Sequence, residues 1–174
     1  ILLLYYLFKL MWLSQFAHRL ESWNRLREAV QNLPIELALQ NINEWWFDSP
    51  WRPYYLHWDD RAHWPDPWQL LEENTFCSLA RALGIMYTIC LMDRPDIQDA
   101  ELLDRDNLVL VDQKKYILNW SRDQLLNISL VAPPIQRSIS QAQIKTQIKK
   151  ESKLYYNKQV LQKYSSLIAS RIIG

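Results

Sequence analysis

Glycine is nearly missing from this chain, with two in 174 residues. Phosphate sites on glycine-rich loops need backbone that approaches the ligand without a Cβ, so nucleotide enzymes of the Walker or dinucleotide-binding kind are excluded. Cysteine is equally sparse. Cys77 and Cys90 offer neither a disulfide framework nor zinc-ligand spacing, which fits a reducing compartment. The apolar opening Ile1–Leu13, interrupted only by Lys9, falls short of the about 20 residues a membrane helix needs. It also lacks the basic leader and small-residue cleavage site of a signal peptide. A buried helix, or a hydrophobic end docked on a partner, accounts for it. No internal repeat is visible.

What the chain has in abundance is aromatic surface: nine Trp and nine Tyr, within a hydrophobic fraction of 49%. That is enough for a real core, and Trp and Tyr serve cores and interfaces alike. The net charge of +1 hides an asymmetry. Arg137, Lys145, Lys149, Lys150, Lys153, Lys158, Lys163 and Arg171 face Glu151 alone, so a basic tail follows a net acidic body. Such a tail docks on an acidic neighbour, with nucleic acid as the alternative and a solvated helix face as the plainer reading.

Leu13, Phe16, Leu20, Trp23, Leu26, Val30 and Leu33 recur at three- and four-residue steps, which predicts an amphipathic helix broken at Pro34. A second helix follows over Ile35–Trp46. The stretch 48–68 holds four prolines and four tryptophans and reads as a loop, with a short strand over Tyr54–Trp58. Asp66-Pro67 opens a predicted helix Trp68–Leu83, ended by Gly84, and the apolar run Ile85–Met92 reads as a buried strand. Residues 93–106 read as a loop. Leu108–Val111 and Tyr116–Trp120 read as a hairpin. The expected fold is α+β, with N-terminal helices packed on a small antiparallel sheet and a long C-terminal helical extension. Its divisions are a compact body over 1–128, an extended linker over 129–139 containing Pro133-Pro134, and a basic amphipathic helix over 140–174. Leu154, Leu161 and Ile168 repeat every seven residues, with Tyr164 beside them, and want a partner surface.

His57, Asp59, Asp60 and His63 are metal-capable side chains lying close in sequence. Their spacing matches no recognised ligand set, so neither a metal nor another cofactor is expected. Trp51, Trp58, Trp64 and Trp68 form a candidate docking surface, since aromatic side chains are the commonest interface anchors. Leu154, Leu161, Tyr164 and Ile168 with Lys149, Lys150 and Lys153 form a second, on the tail.

Cys77 with the following Leu79-Ala80-Arg81-Ala82-Leu83-Gly84-Ile85 is similar to the core of the transglutaminase-like and papain-like superfamily. There a cysteine at a helix N-terminus is followed by strands bearing a His and then an Asp or Asn. The resemblance places Asn107 where the histidine stands and Asn119 in the orienting position. A carboxamide cannot take the thiol proton, and His18, His57 and His63 all precede Cys77. Cys77 also stands about ten residues into the helix expected from Pro67, too deep for a strong dipole effect. The resemblance therefore implies a pseudo-enzyme scaffold at most, with Cys77 a buried structural cysteine.

A second resemblance rests on Trp45-Trp46-Phe47, Pro53-Tyr54-Tyr55-Leu56-His57-Trp58, Trp64-Pro65-Asp66-Pro67-Trp68 and the two hairpin strands. Over roughly residues 20–130 the chain resembles proteins encoded by large tailed phages of marine bacteria and cyanobacteria. This implies a phage gene product made in the host cytoplasm. It would be a structural virion part of the tail, neck or baseplate, docked on other phage structural proteins. A cysteine-dependent hydrolase or transferase, and a factor binding a host protein or DNA, are the alternatives.

Overall fold

The computed structural model describes residues 11–92, 94–113, 115–125 and 137–148. Among them are five α-helices and a small four-stranded antiparallel sheet, so the fold is α+β. Helices α1 (Phe16–Val30) and α2 (Ile35–Phe47) follow the expected periodicity, with Leu20, Trp23 and Val30, then Leu39, Ile42 and Trp46, on their buried sides. Pro34 separates them as expected, holding extended backbone at the residue before α2.

Helix α3 (Pro67–Glu73) begins at a capping box. The Asp66 carboxylate accepts the N–H groups of Trp68 (3.0 Å) and Gln69 (2.9 Å), while Gln69 accepts the Asp66 N–H (3.0 Å). Here the structure departs from the expected Trp68–Leu83 helix. Asn74 adopts the left-handed conformation (φ 49°) and ends α3 after seven residues. A new helix, α4 (Ser78–Met92), then starts and runs straight through Gly84 and the expected strand Ile85–Met92. Gly84 terminates nothing. It lies under Trp46, where a Cβ would come within 2.5 Å of three ring atoms. The misreading has a simple cause: α4 is buried on nearly every side, so its apolar residues show no stripe.

That central helix packs against α1, α2, α3 and the sheet. The hub of the contact is Thr88, fully buried, whose Oγ1 accepts the indole N–H groups of Trp23 and Trp46, both at 2.8 Å. Thr88 donates its own proton to the Gly84 carbonyl. Trp12, Trp45 and Phe76 pack round Trp46 in tilted and edge-on geometries.

The sheet has order β3-β2-β1-β4 and every pairing is antiparallel. The hairpin of β2 (Val109–Val111) and β3 (Tyr116–Leu118) lies where the sequence puts it. Strand β1 (Glu101–Leu103) falls in the region read as loop. Strand β4 (Ser138–Ser140) pairs with β1 at the end of the stretch read as linker, with Ile139 fully buried. Helix α5 (Gln141–Gln147) starts on the Ser140/Gln143 capping box and packs on α4, so residues 138–148 belong to the body. Ile148 leaves helical backbone and closes α5, and the remainder of the helix expected over 140–174 lies outside the described residues. Leu154, Leu161, Tyr164, Ile168, Lys149, Lys150 and Lys153, the opening 1–10 and most of the linker lie outside the described residues. Among those described, no helix is long and apolar enough to cross a membrane.

Candidate functional site

The break at Asn74 relocates Cys77. It lies not deep in a helix but immediately before α4, and its carbonyl accepts the Arg81 N–H (3.0 Å) as the first bond of that helix. The preceding residues are held extended by the proline-rich loop. Trp51 and Phe76 form an isolated parallel bridge, and the Arg52 N–H donates to the Phe76 carbonyl (2.9 Å). Four residues further on, the Leu56 N–H donates to Cys77 Sγ (3.4 Å). Cys77 is 5% exposed, and its sulfur receives positive partial charge from that amide and from the helix start.

The loop crosses this helix start and is fastened on both sides. On one side Asp48 takes a two-pronged ion pair from Arg122 (2.8 and 2.9 Å). Next to it, buried Arg81 bonds both oxygens of Ser49 and lies over the rings of Phe47 and Trp51. Burial lowers the Arg81 pKa, against the opposing pull of Asp48 and Cys77. On the other side Arg137 bonds Asp59 and Asp104, each at 2.5 Å, tying the loop to the ends of β1 and β4. Trp58 and Trp64 stack 5.4 Å apart beneath Arg61, and the Trp64 indole donates to the His57 carbonyl. The expected strand Tyr54–Trp58 does not form. Tyr54 instead turns through a positive φ of 57°.

Between loop and helix lies an open cleft of about 410 Å³ lined by Trp51, Pro53, Tyr54, His57, Trp58, Cys77, Ser78, Asp104 and Asn107. Cys77 and Asn107, paired by sequence resemblance alone, therefore share one cleft. Asn119 stands beside it in a different role. Its carboxamide donates to the carbonyls of Ser78 and Asn107, both at 2.9 Å, and its backbone N–H donates to Asn43. It staples β3 to the start of α4 and orients no base. Asn107, at φ 54°, lines the cleft. His57, set aside on chain order, is on the cleft wall with Cys77, brought there by the loop. No sequence signal announces that, because the fold of a proline-rich loop is not periodic.

The tryptophans expected to dock partners divide. Trp51 is 56% exposed; Trp64 is half-buried, Trp58 is buried, and Trp68 belongs to the core and leaves the docking set. Capped by Asp66, the start of α3 points Trp68 inward. Asp60 and His63 are bonded to one another (2.6 Å), which raises the His63 pKa and engages both side chains. No group of three metal-ligating side chains occurs among the described residues. Comparison of the chain with protein-family models, with curated proteins and with solved structures finds no match.

Proposed function

We propose that this chain is a non-enzymatic docking component of a tailed-phage virion, using the aromatic cleft beside α4 as one of its contact surfaces. The phage assignment rests on the sequence resemblance. The docking assignment rests on one observation: the cleft is walled by exposed Trp51 and Tyr54 (56% and 87% exposed). The sequence resemblance, for its part, puts Asn107 in the place of a general base. Exposed rings at a concave site exclude water on contact and act as anchors. A carboxamide can orient a partner's polar groups but cannot take a proton from sulfur.

Mass spectrometry of gradient-purified particles tests the reading. The polypeptide should be present at fixed copy number, and a Trp51→Ala/Tyr54→Ala variant that keeps its fold should be lost from particles. Absence of the wild-type chain from particles would overturn the virion assignment. Normal incorporation of the double variant would overturn the cleft as a contact surface.

A second reading, a cysteine-dependent hydrolase or transferase, is favoured by the position of Cys77 at a helix start with His57 on the same cleft. Rapid, pH-dependent alkylation of Cys77 by iodoacetamide, abolished in His57→Ala, would support it. Alkylation only on denaturation would dismiss it.

A further inference from the structure

We propose that residues 53–58 of the proline-rich loop form a strap that opens locally to uncover the Cys77 thiol, and that Arg137 is the latch on that strap. The step goes beyond the docking reading and does not depend on it.

Cys77 stands at the start of α4, yet it is only 5% exposed. Leu56 crosses over it, with its N–H on Sγ at 3.4 Å. Sulfur is a weak acceptor, so that bond holds the strap lightly. Among the described residues, Leu56 is the only member of the strap whose backbone N–H finds an acceptor. Pro53, Tyr54 and His57 are exposed, and Tyr55 and Leu56 are only partly buried against the core. Segments with few hydrogen bonds and few buried apolar contacts open locally, at free energies below that of global unfolding.

The closed form also carries two penalties that opening relieves. Tyr54 sits at a positive φ of 57°, a strained conformation for a bulky residue. Trp58 is the one side chain of the strap that is fully packed away, and its buried Nε1–H has no acceptor among the described residues. That donor regains water when the strap lifts.

The two ends of the strap are held differently. Upstream, the Arg52 N–H donates to the Phe76 carbonyl, and Arg81 holds Ser49 through two buried hydrogen bonds. Downstream, Arg137 at the foot of β4 reaches Asp59 on the loop and Asp104 after β1, each at 2.5 Å. The Arg137 side chain is 51% exposed and that of Asp59 82%. Exposed ion pairs contribute little each and weaken in salt, so the downstream end is the one that yields. A single guanidinium joins loop to sheet there, directly beside Trp58, and its loss frees the strap without touching the centre of the core.

Alkylation of the native full chain by iodoacetamide, read by mass spectrometry at each cysteine, tests this. The reagent is uncharged, so salt does not alter its encounter with the protein. Cys90 is the internal control: it is equally buried, bonds the Gln141 carbonyl, and lies about 20 Å further along α4. In the wild type Cys77 should react at least tenfold faster than Cys90. Arg137→Ala should speed Cys77 at least threefold, and Asp59→Asn should act in the same direction, while Cys90 keeps its rate. The double variant should be no faster than Arg137→Ala, because both changes break one contact. Sodium chloride at 1 M should speed Cys77 in the wild type and have little effect in Arg137→Ala. Loss of a cation near the thiol disfavours the reactive thiolate and would by itself slow the reaction, so acceleration reports opening. Unchanged Cys77 rates in both single variants overturn the latch. Equal acceleration of Cys77 and Cys90, or a wild-type Cys77 no faster than Cys90, overturns the strap, since the thiol is then reached only by general unfolding.

Discussion

Replacing Thr88 by Val tests the account of the core at its most informative atom. The two side chains have nearly the same shape, so the substitution leaves no cavity and changes only the hydroxyl. Two buried indole N–H groups, of Trp23 and Trp46, then lose their shared acceptor at 2.8 Å. Each orphaned donor costs about 1–3 kcal/mol. The loss of the bond to Gly84 adds little, since that carbonyl belongs to the helix ladder as well. A destabilisation of about 3 kcal/mol follows, a lowering of Tm by about 6–12 °C for a chain of this size. Thr88→Ser is the control, because it keeps the oxygen and removes one methyl group, for about 1 kcal/mol. Urea unfolding followed by tryptophan fluorescence reads both. The expected order of stability is wild type, then Thr88→Ser, then Thr88→Val. A valine variant as stable as the serine variant would refute the argument that Thr88 acts through its hydrogen bonds.

Gly84→Ala should gain about 1 kcal/mol of helix propensity and lose more than that against Trp46. A net loss of about 1–2 kcal/mol in a thermal melt is expected, and a gain would mean that the Trp46 ring can move aside. Cys77→Ala should cost about 1 kcal/mol through a small cavity and leave incorporation into particles intact. Loss of infectivity at unchanged Tm would count for catalysis instead. The hydrogen bonds from Arg94 hold the Asp96 carboxyl below its ordinary pKa. The stability it contributes is therefore fully present above about pH 4 and is lost as pH falls through the lowered value. Asp96→Asn should be less stable than wild type at pH 7, and the gap should close as pH falls through the lowered Asp96 value. Arg94→Ala should cost more than Asp96→Asn, by about 2 kcal/mol, because Arg94 also donates to the carbonyls of Val30 and Leu33 at the end of α1 (2.9 and 2.8 Å).

How much of this was legible in sequence depended on whether a segment has two kinds of neighbour. α1 and α2 each face both core and solvent, so their apolar residues recur at helical spacing and both helices were readable. The β2–β3 hairpin was readable because a polar turn separates two apolar strands. α4 faces protein on nearly all sides, and its continuous apolar run has the composition of a strand as much as of a helix. β1 and β4 are three residues each, and β4 owes its pairing to a contact 37 positions away in sequence, Ile139 with Leu102. Local pattern carries no trace of such a partner.

The candidate site turns on a single residue of that unreadable kind. With Asn74 helical, Cys77 would sit on the third turn of one long helix, remote from any terminus and unable to reach the loop. With Asn74 in the left-handed region, the chain gains an extended step, Phe76 pairs with Trp51, and Cys77 opens a new helix under Leu56. Asparagine is among the few non-glycine residues that tolerate this conformation, and it is fixed here by a bond from its carboxamide to the Trp12 carbonyl (2.8 Å). The placement of Cys77 at a helix start thus depends on a capping residue, whereas Asn107 and His57, which share its cleft, are supplied by other parts of the fold. One local choice at Asn74 therefore decides which side chains meet: it brings Cys77 to the cleft that His57 and Asn107 also line, and no pattern of apolar residues along the chain encodes that choice.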